Sequence, residues 1–348
     1  MLKRIRNEEQ VLEKVFWKGA FMKMKKINWG VIGTAGIAKG QTIPGMKLAE
    51  NCNLHAIAGR DIKKAQLYQK EFGFVKAYGS YDELLDDPEV EAVYIPLPNT
   101  LHYEWVKKAI QHGKHVLCEK PMTPAAREAE ELFDLAEKKG VHLMEAFAYL
   151  HSPWIAAIKQ EIDSGAIGQI RYIESQFLTS DYDSGNIRMR RETNGGSVYD
   201  LGCYNATMIG WMLGTQPDDI HAAAIFSPEG VDVLTSAVFS YNNGTKAMMN
   251  CGMILKTGAD LRIDQLRIEG TEGSIRSTGE FNGCGEMDYT IIKDGKEKTK
   301  RISVPQNYSL EVEQLGRCIT NGEKPHVTRE FTVATLTTIE KILKQIGY

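Results

Sequence analysis

From Ile27 to about Ala146, short apolar runs alternate with segments in which apolar and polar residues follow a helical period. The apolar runs indicate buried strands, and the periodic segments indicate amphipathic helices. We predict strands at 27–32, 54–58, 93–95, 115–118 and 141–146, and helices at 62–72, 103–111 and 124–139. Strands that alternate with helices in this order predict an α/β fold with a parallel, doubly wound sheet and right-handed crossovers.

Residues that favour helix ends mark two of these helices. Asp61 suits the N-cap before residue 62, and Gly73 suits the end of the same helix. Thr123 is predicted to cap the helix at 124–139, with Pro124 in its first position, where a missing N–H costs nothing.

Beyond Phe147 the pattern changes to longer strand-like stretches. We predict helices near 154–163 and 201–213 and strand-rich segments at 168–178, 219–226, 231–253 and 264–277. Asn243-Gly244 is a strong signal for a hairpin turn. This half predicts an α+β domain with a mostly antiparallel sheet. The chain then divides into an N-terminal extension (1–26), a first domain (27–147) and a second domain (148–348).

Composition narrows the class of protein. The 348 residues include 42 Lys and Arg against 45 Asp and Glu, which argues against a mainly electrostatic nucleic-acid binder. The six cysteines form no C-x-x-C pair and are interpreted as buried apolar residues in a reducing compartment. We find no apolar run of 18 residues and no apolar signal segment at the N-terminus, so we expect a cytoplasmic protein without a membrane span.

The first predicted strand ends in a glycine-rich turn. The dinucleotide-binding fingerprint G-x-G-x-x-G places helix N-terminal amides against a diphosphate. Here its three positions are Gly33, Ala35 and Ala38, and Gly36 adjoins the second of them. The match is degenerate, and a glycine-rich turn that binds no ligand is the alternative interpretation.

The end of the second predicted strand bears on the choice of cofactor. An acidic residue about 20 positions after the turn would bind the ribose hydroxyls of NAD. The residue there is Arg60, which can pair with a 2′-phosphate, so we favour NADP over NAD. The alternative is that Arg60 is a solvated loop residue beside the N-cap Asp61.

Two polar stretches are difficult to explain as scaffold alone. Glu119 and Lys120 precede Pro121 at the carboxyl end of a buried strand, the edge at which open α/β sheets bind ligands. A structural ion pair is the alternative. Asp200 and Tyr204, four residues apart, would lie on one face of a helix, although a capping aspartate and a core tyrosine would have the same spacing.

Together these motifs resemble the glucose-fructose oxidoreductase/inositol dehydrogenase (Gfo/Idh/MocA) family. The resemblance extends from about residue 26 to the C-terminus. It is carried by the segments Gly33–Ala38, Arg60-Asp61, Pro98–His102, Leu117–Pro121, Met144–Ala146 and Gly195–Tyr204. The Leu-Cys-Glu-Lys-Pro and Met-Glu-Ala segments, with Tyr204 where many relatives have histidine, resemble the NADP-linked dimeric dihydrodiol and D-xylose dehydrogenase-like branch.

The resemblance implies site roles and an assembly. It implies catalytic roles for Lys120, Asp200 and Tyr204, with Tyr204 as the acid/base, and a cis peptide bond before Pro121. It implies that the second-domain sheet forms the interface of a homodimer or higher oligomer. The predicted cofactor-binding residues are Gly33, Thr34, Ala35, Gly36, Ile37, Arg60, Pro98, Asn99, His102, Glu119 and Lys120. Tyr149, His151, Trp154 and Arg188 are further candidates for contact with the substrate.

The predicted chemistry is hydride transfer between a nicotinamide and a secondary alcohol or carbonyl of a sugar, polyol or cyclic diol. A phenol with a pKa near 10 is a weak base at neutral pH, so we expect the Lys120 ammonium to lower the pKa of Tyr204. No histidine spacing typical of a metal site is present, and we predict no metal. Two alternatives stay open: a non-catalytic dinucleotide sensor, and a glycosidase that uses the nicotinamide as a redox relay.

Overall fold

The computed structural model describes residues 25–180, 185–255 and 262–348. The predicted N-terminal extension therefore lies, apart from residues 25 and 26, outside the described residues. No helix within the described parts of the chain is long and apolar enough to cross a membrane.

The first half forms a six-stranded parallel sheet in the order β3-β2-β1-β4-β5-β6. The strands are β1 (Ile27–Ile32), β2 (Cys52–Ala58), β3 (Lys76–Tyr78), β4 (Ala92–Ile95), β5 (His115–Glu119) and β6 (Leu143–Ala146). Every residue of β4 and β6 is buried, as expected for strands covered by helices on both faces. This order is the doubly wound arrangement whose switch point lies between β1 and β4. The predicted fold class is confirmed.

Five helices connect these strands: α1 (Ile43–Leu48), α2 (Ile62–Phe72), α3 (Tyr81–Asp86), α4 (Asn99–Gln111) and α5 (Ala126–Lys139). The predicted ends of α2 are confirmed, because the Asp61 carboxylate accepts hydrogen bonds from two N-terminal amides and Gly73 ends the helix with φ 87°. The predicted cap of α5 is wrong. Thr123 donates its hydroxyl to the carbonyl of Ala125, and the helix begins three residues later.

The second half builds an eight-stranded sheet in the order β14-β13-β12-β11-β7-β10-β9-β8. Its strands are β7 (Ile170–Ser180), β8 (Asp219–Phe226), β9 (Asp232–Ser240), β10 (Lys246–Leu255), β11 (Arg262–Gly270), β12 (Ser274–Ser277), β13 (Gly285–Lys293) and β14 (Lys296–Val304). Only β7 and β10 pair in parallel, so the sheet is mostly antiparallel as predicted. Gly244, with φ 84°, lies in the predicted hairpin turn between β9 and β10.

Four helices accompany this sheet: α6 (Pro153–Asp163), α7 (Cys203–Leu213), α8 (Asn307–Asn321) and α9 (Arg329–Ile346). Helix α7 packs on β7 and β10, and α6 packs on β13 and β14. Helix α9 contacts β8 of the second sheet and α5 of the first half, and α8 contacts α1. These contacts join the two halves, so the carboxyl edge of the first sheet faces the second.

Candidate functional site

A cavity of about 790 Å³ lies between the carboxyl ends of the first-sheet strands and the second sheet. The turns after β1, β2, β4 and β5 supply one wall, and residues of β7, β11 and the segment 187–204 supply the other. Ligands of open α/β sheets bind at this edge.

At one end of the cavity the backbone changes direction sharply after β1. Gly33 has φ +115°, a conformation that favours glycine, and the helical backbone then begins at Gly36. A Cβ on Gly36 would meet no atom within 4 Å, so this position faces open space. The predicted turn residues Gly33, Thr34, Ala35, Gly36 and Ile37 all line the cavity. The free amides of a helix N-terminus there suit a diphosphate.

Two cations lie beside this turn. Arg60 is exposed and lines the cavity. It also lies near the buried Tyr81: burial raises the pKa of Tyr81, and the charge of Arg60 partly offsets that rise. Lys64, one turn into α2, also lines the cavity and donates to the Thr34 carbonyl at 2.9 Å. Lys64 is not among the predicted site residues, although its position one turn after the capping Asp61 could have indicated it.

Deeper in the cavity, Asp200 joins two cations. The Lys120 ammonium donates to the Asp200 carbonyl at 2.6 Å and to its carboxylate at 3.2 Å, and Arg188 Nε donates to the second carboxylate oxygen at 2.7 Å. Although burial alone would raise it, Lys120 and Arg188 hold the pKa of Asp200 below its ordinary value. Burial alone would lower the pKa of Lys120, but the charge of Asp200 raises it. The pair is therefore ionised at neutral pH.

Tyr204 lies directly under Lys120. The ammonium is 4.6 Å from the centre of the phenol ring, and Asn282 Nδ2 donates to the phenol oxygen at 3.2 Å. The expected net lowering of the Tyr204 pKa is not found. Burial, the largest cause, together with the charge of Glu119, raises that pKa well above its ordinary value. The Tyr204 phenol is thus protonated at neutral pH.

Asp200 does not lie on a regular α-helix with Tyr204, as the four-residue spacing suggested. Residues Val198–Gly202 form a π-helical turn, and α7 begins only at Cys203. Both side chains nevertheless reach Lys120, which the sheet holds between them. The peptide bond between Lys120 and Pro121 is cis, as the family resemblance implies.

Glu119 faces both the cavity and a buried polar chain. Its carboxylate accepts from the Tyr94 hydroxyl at 2.5 Å, and Tyr94 accepts from Thr42 at 2.8 Å. Burial raises the pKa of Glu119, so this carboxyl is more readily protonated than an exposed one.

His102 does not line the cavity, which corrects its predicted place among the cofactor-binding residues. The side chain is fully buried, and its two ring nitrogens lie 2.9 Å and 2.7 Å from the carbonyl oxygens of Pro121 and Leu97. It therefore ties the turn after β4 to the turn after β5. Pro98 and Asn99, which precede it, do line the cavity, and Asn99 donates to the Asn194 carbonyl at 2.9 Å.

Three of the four candidate substrate residues lie outside the cavity. Tyr149 and Trp154 are fully buried, the first bonded to Thr207 at 2.6 Å and the second to the Asp288 carbonyl at 3.3 Å. His151 packs against His326 with ring centres 4.9 Å apart. None of the three lines the cavity, so their prediction as substrate contacts is corrected. Arg188 lies in the cavity wall as predicted, where it binds Asp200.

Other cavity residues come from segments that the sequence analysis did not assign to the site. Arg262 stacks on Phe177 at 4.6 Å and binds the buried Asp264, while Asn282 and Tyr308 follow β12 and β14. No motif identifies these residues, because they enter the site only when the second sheet folds against the first.

The residues present fit a dinucleotide. The helix N-terminus and the Arg60 and Lys64 cations suit phosphates, and the cavity continues from them to Lys120 and Tyr204. The part of the cavity between the phosphate-binding turn and Lys120 is lined by Glu119, Pro98 and Asn99.

Comparisons with known proteins agree with this arrangement. A family profile described as "Oxidoreductase family, NAD-binding Rossmann fold" (GFO_IDH_MocA) matches residues 27–147, and the GFO/IDH/MocA C-terminal domain profile matches residues 155–276.

Individual relatives match over nearly the whole chain. The chain is 36% identical to D-xylose 1-dehydrogenase (NADP(+)) 2 of Haloferax volcanii, over 90% of this chain and 95% of the relative. It is 28% identical to trans-1,2-dihydrobenzene-1,2-diol dehydrogenase of Xenopus tropicalis, over 92% and 98% of the two chains. Among solved structures, KijD10, a 3-ketoreductase from Actinomadura kijaniata in complex with NADP and TDP-benzene, superposes with a TM-score of 0.85 and 27% identity, over 92% and 98% of the two chains. The predicted resemblance is confirmed.

Proposed function

The chain belongs to the GFO/IDH/MocA family of NAD(P)-dependent oxidoreductases, and we propose that it interconverts a secondary alcohol and a carbonyl on a sugar, polyol or cyclic diol, with Tyr204 as the acid/base. The observation that carries this proposal is the position of the Lys120 ammonium, 4.6 Å above the Tyr204 ring and paired with Asp200 at the inner end of the dinucleotide cavity.

Each of the three residues has a separate role. In the direction of reduction, Tyr204 gives its phenol proton to the substrate oxygen as the carbonyl becomes an alcohol, and in oxidation the phenolate takes that proton back. Lys120 stabilises the negative charge that develops on the phenol oxygen. Asp200 holds Lys120 in place and, with Arg188, orients the substrate hydroxyls.

The cofactor would be held by the turn residues at its phosphates and by Lys120 and Glu119 near its reactive end. When bound, the nicotinamide supplies the acceptor or donor of the hydride. Arg60 and Lys64 beside the turn support a preference for NADP, whose 2′-phosphate carries additional negative charge. The D-xylose dehydrogenase relative is named for NADP(+), and the KijD10 structure contains NADP, which supports the same preference.

The first experiment is an activity screen. Purified protein is mixed with NADP or NAD and a panel of aldoses, inositols and cyclic diols, and the absorbance of the reduced nicotinamide is followed. We expect turnover with NADP and one substrate class. Turnover with NAD alone would refute the cofactor preference. If dinucleotide binds but neither cofactor turns over, the sensor and redox-relay interpretations gain weight, and colour release from a nitrophenyl glycoside separates those two.

Tyr204→Phe tests the acid/base role. The phenylalanine ring keeps the edge-on contacts with Phe147 and Phe177, so the fold and cofactor binding should persist. We expect kcat to fall by about 10²- to 10⁴-fold with little change in the KM for NADP. A variant with the kcat of the original protein would refute Tyr204 as the acid/base.

A further inference from the structure

Asn282 is the residue that touches the reactive oxygen of Tyr204. It lies in the loop between β12 and β13, beyond the part of the chain that the C-terminal family profile matches. Its Nδ2 donates to the Tyr204 hydroxyl at 3.2 Å, and the side chain lines the cavity. Its Oδ1 is buried and makes no hydrogen bond within the described parts of the chain, so the bond to Tyr204 is the hydrogen bond that the structure gives this side-chain amide.

The loop is built to hold this side chain in place. The Phe281 amide donates to the Asp264 carboxylate at 3.0 Å, and the Gly279 amide donates to the Ser277 hydroxyl at 3.1 Å. Asn307 on α8 donates to the Gly283 carbonyl at 3.0 Å. The fully buried Phe281 ring adjoins Phe177, whose own ring packs edge-on against Tyr204. Asn282 is thus anchored on both sides.

The direction of this hydrogen bond has a chemical consequence. A phenol oxygen that accepts a bond from an amide N–H keeps its own proton available for a different acceptor. Because no carboxylate takes that proton in the described site, it is left to point into the cavity. The same amide N–H also stabilises the phenolate once the proton has left.

We propose that Asn282 is a positioning residue for proton transfer, whose amide directs the Tyr204 proton towards the substrate oxygen and stabilises the phenolate that remains. In reduction the O–H bond of Tyr204 breaks and a new O–H bond forms on the substrate, while the hydride comes from the reduced nicotinamide. Oxidation reverses both transfers. This inference rests on the proposed function, in which Tyr204 is the acid/base.

The test of this proposal leaves the other charged and titratable side chains around Tyr204 unsubstituted. The charged and titratable side chains that act on it or share its surroundings are Glu119, Lys120, Asp200, Cys203, Arg262, Tyr149 and Tyr308. None of them is altered in the variants below, so a change in titration reports on residue 282.

Two variants separate the possible roles. Asn282→Leu keeps the bulk of the side chain and removes the donor. Asn282→Asp keeps the shape but replaces the donor with a carboxylate, which accepts the phenol proton and repels the phenolate. Cys284→Ser, an exposed position in the same loop that does not line the cavity, is the matched control.

The readout is the titration of Tyr204 itself. Full-length protein labelled with 3-fluorotyrosine is followed by ¹⁹F NMR, with the Tyr204 resonance assigned from Tyr204→Phe. Fluorine acidifies the phenol and brings its titration closer to neutral pH. We expect Asn282→Leu to raise the midpoint by about one unit, the effect of losing one hydrogen bond to a charged group. Asn282→Asp should raise it further, and Cys284→Ser should leave it unchanged.

The pH profile of kcat/KM for alcohol oxidation provides the second readout. Its rising limb should move to higher pH by the same amount in Asn282→Leu, with a loss of about tenfold at neutral pH and little change in the KM for NADP. An unchanged Tyr204 titration in Asn282→Leu would overturn the proposal. So would a midpoint in Asn282→Asp at or below that of the original protein, since a carboxylate in contact with the phenol oxygen must oppose formation of the phenolate.

The two proposals fail in different ways. If the Tyr204 titration shifts as expected but Tyr204→Phe retains full activity, the contact of Asn282 with Tyr204 stands and the catalytic assignment of Tyr204 is wrong. If Tyr204→Phe is inactive but neither Asn282 variant shifts the titration, the acid/base assignment stands and Asn282 has no part in it.

Discussion

At the scale of single residues, the Asp200 carboxylate controls the polarity of the site. It accepts from Lys120 with one oxygen and from Arg188 with the other, so its charge balances two cations that would otherwise repel each other. A buried ion pair of this kind adds little to the stability of the fold, because each partner loses its hydration. It does fix the positions of the charged groups, because each of them depends on the other for its partner. The position of Lys120 over Tyr204 therefore depends on Asp200.

Lys120→Met tests the role of the Lys120 charge. Methionine matches the length of the lysine stem but carries no charge, so the phenolate of Tyr204 loses its stabilising cation. We expect kcat to fall by at least about 10²-fold, while dinucleotide binding, measured by quenching of protein fluorescence, changes little. Full turnover by Lys120→Met would contradict the role given to Lys120. Lys107→Met, on an exposed part of α4 that does not line the cavity, is the control for the substitution itself.

Arg60→Ala tests the cofactor preference at the other end of the cavity. A guanidinium at this position would pair with the 2′-phosphate that distinguishes NADP from NAD. We expect the KM for NADP to rise by about tenfold and the KM for NAD to change little, since an ion pair with phosphate is worth about 1 to 2 kcal/mol. Lys63→Ala, an exposed neighbour on α2 that does not line the cavity, should leave both values unchanged. Equal changes in the KM values for NADP and NAD would refute the pairing of Arg60 with the 2′-phosphate.

At the scale of secondary structure, two of the helices near the site, α1 and α7, are preceded by a π-helical turn. One turn, Ala38–Thr42, follows the glycine-rich turn and leads into α1, which carries Pro44 in its first turn. The other, Val198–Gly202, carries Asp200 and leads into α7. A π turn inserts an extra residue into the helical ladder and rotates the side chains that follow. Regular helical spacing therefore could not give the orientation of Asp200 relative to Tyr204.

Asp87 connects several elements of the first sheet at the edge away from the cavity. Its carboxylate accepts from Lys76 and Tyr78 of β3 at 3.0 and 2.9 Å and from the Glu89 amide at 3.0 Å, and it lies 3.2 Å from His55 of β2. Although burial alone would raise it, these bonds lower the pKa of Asp87 to about 2.

Asp87→Asn should lower the free energy of unfolding at pH 7 by about 2 kcal/mol, the equivalent of a pKa difference of nearly two units. Because the folded pKa lies below the unfolded one, the original protein holds this stabilisation above about pH 4 and loses it as the pH falls towards 2. Urea denaturation at pH 7 and pH 3 measures both effects. Asp86→Asn, at a side chain 73% exposed, should change the free energy of unfolding by less than about 0.5 kcal/mol. The difference in the free energy of unfolding between Asp87→Asn and the original protein should shrink as the pH falls. A difference that stayed constant would contradict the link between the Asp87 pKa and stability.

At the scale of the whole molecule, one face of the second sheet exposes apolar side chains that no helix of the described residues covers. Ile225 of β8, Val238 of β9, Ile254 of β10 and Ile263 of β11 are 36 to 60% exposed. The four side chains lie on the same face of the sheet, with β7 between β10 and β11. Exposed apolar side chains that share a face can mark an interface.

We expect this face to form the homodimer that the family resemblance implies. Sedimentation velocity at micromolar concentration should show a dimer, and Ile225→Glu combined with Val238→Glu should produce monomers, because buried unpaired carboxylates oppose association. Leu67→Glu, an exposed apolar position on α2 that is 65% accessible, should leave the dimer intact. A monomer in the original protein would refute the expectation.

Local chemistry accounts for the parts of the structure that the sequence analysis predicted. The order of strands and helices, the ends of α2, the glycine turn and the presence of Glu119 and Lys120 at a strand end all depend on periodicity and on residues close in the chain. The limits at residues 26 and 147 between the three predicted parts of the chain stay a prediction.

The sequence by itself therefore determined the fold class, the family and which polar residues could carry the chemistry, because these depend on local pattern and composition. Only the tertiary structure decided which candidates reach the cavity. Tyr149, Trp154 and His102 are polar or aromatic in sequence but are buried by packing, and His151 packs against His326 outside the cavity. In contrast, Lys64, Arg262 and Asn282 reach the site from separate elements. The tertiary structure also decided the direction of the Tyr204 pKa shift, since the burial of this side chain and the placement of Lys120 over its ring arise only when the two sheets meet.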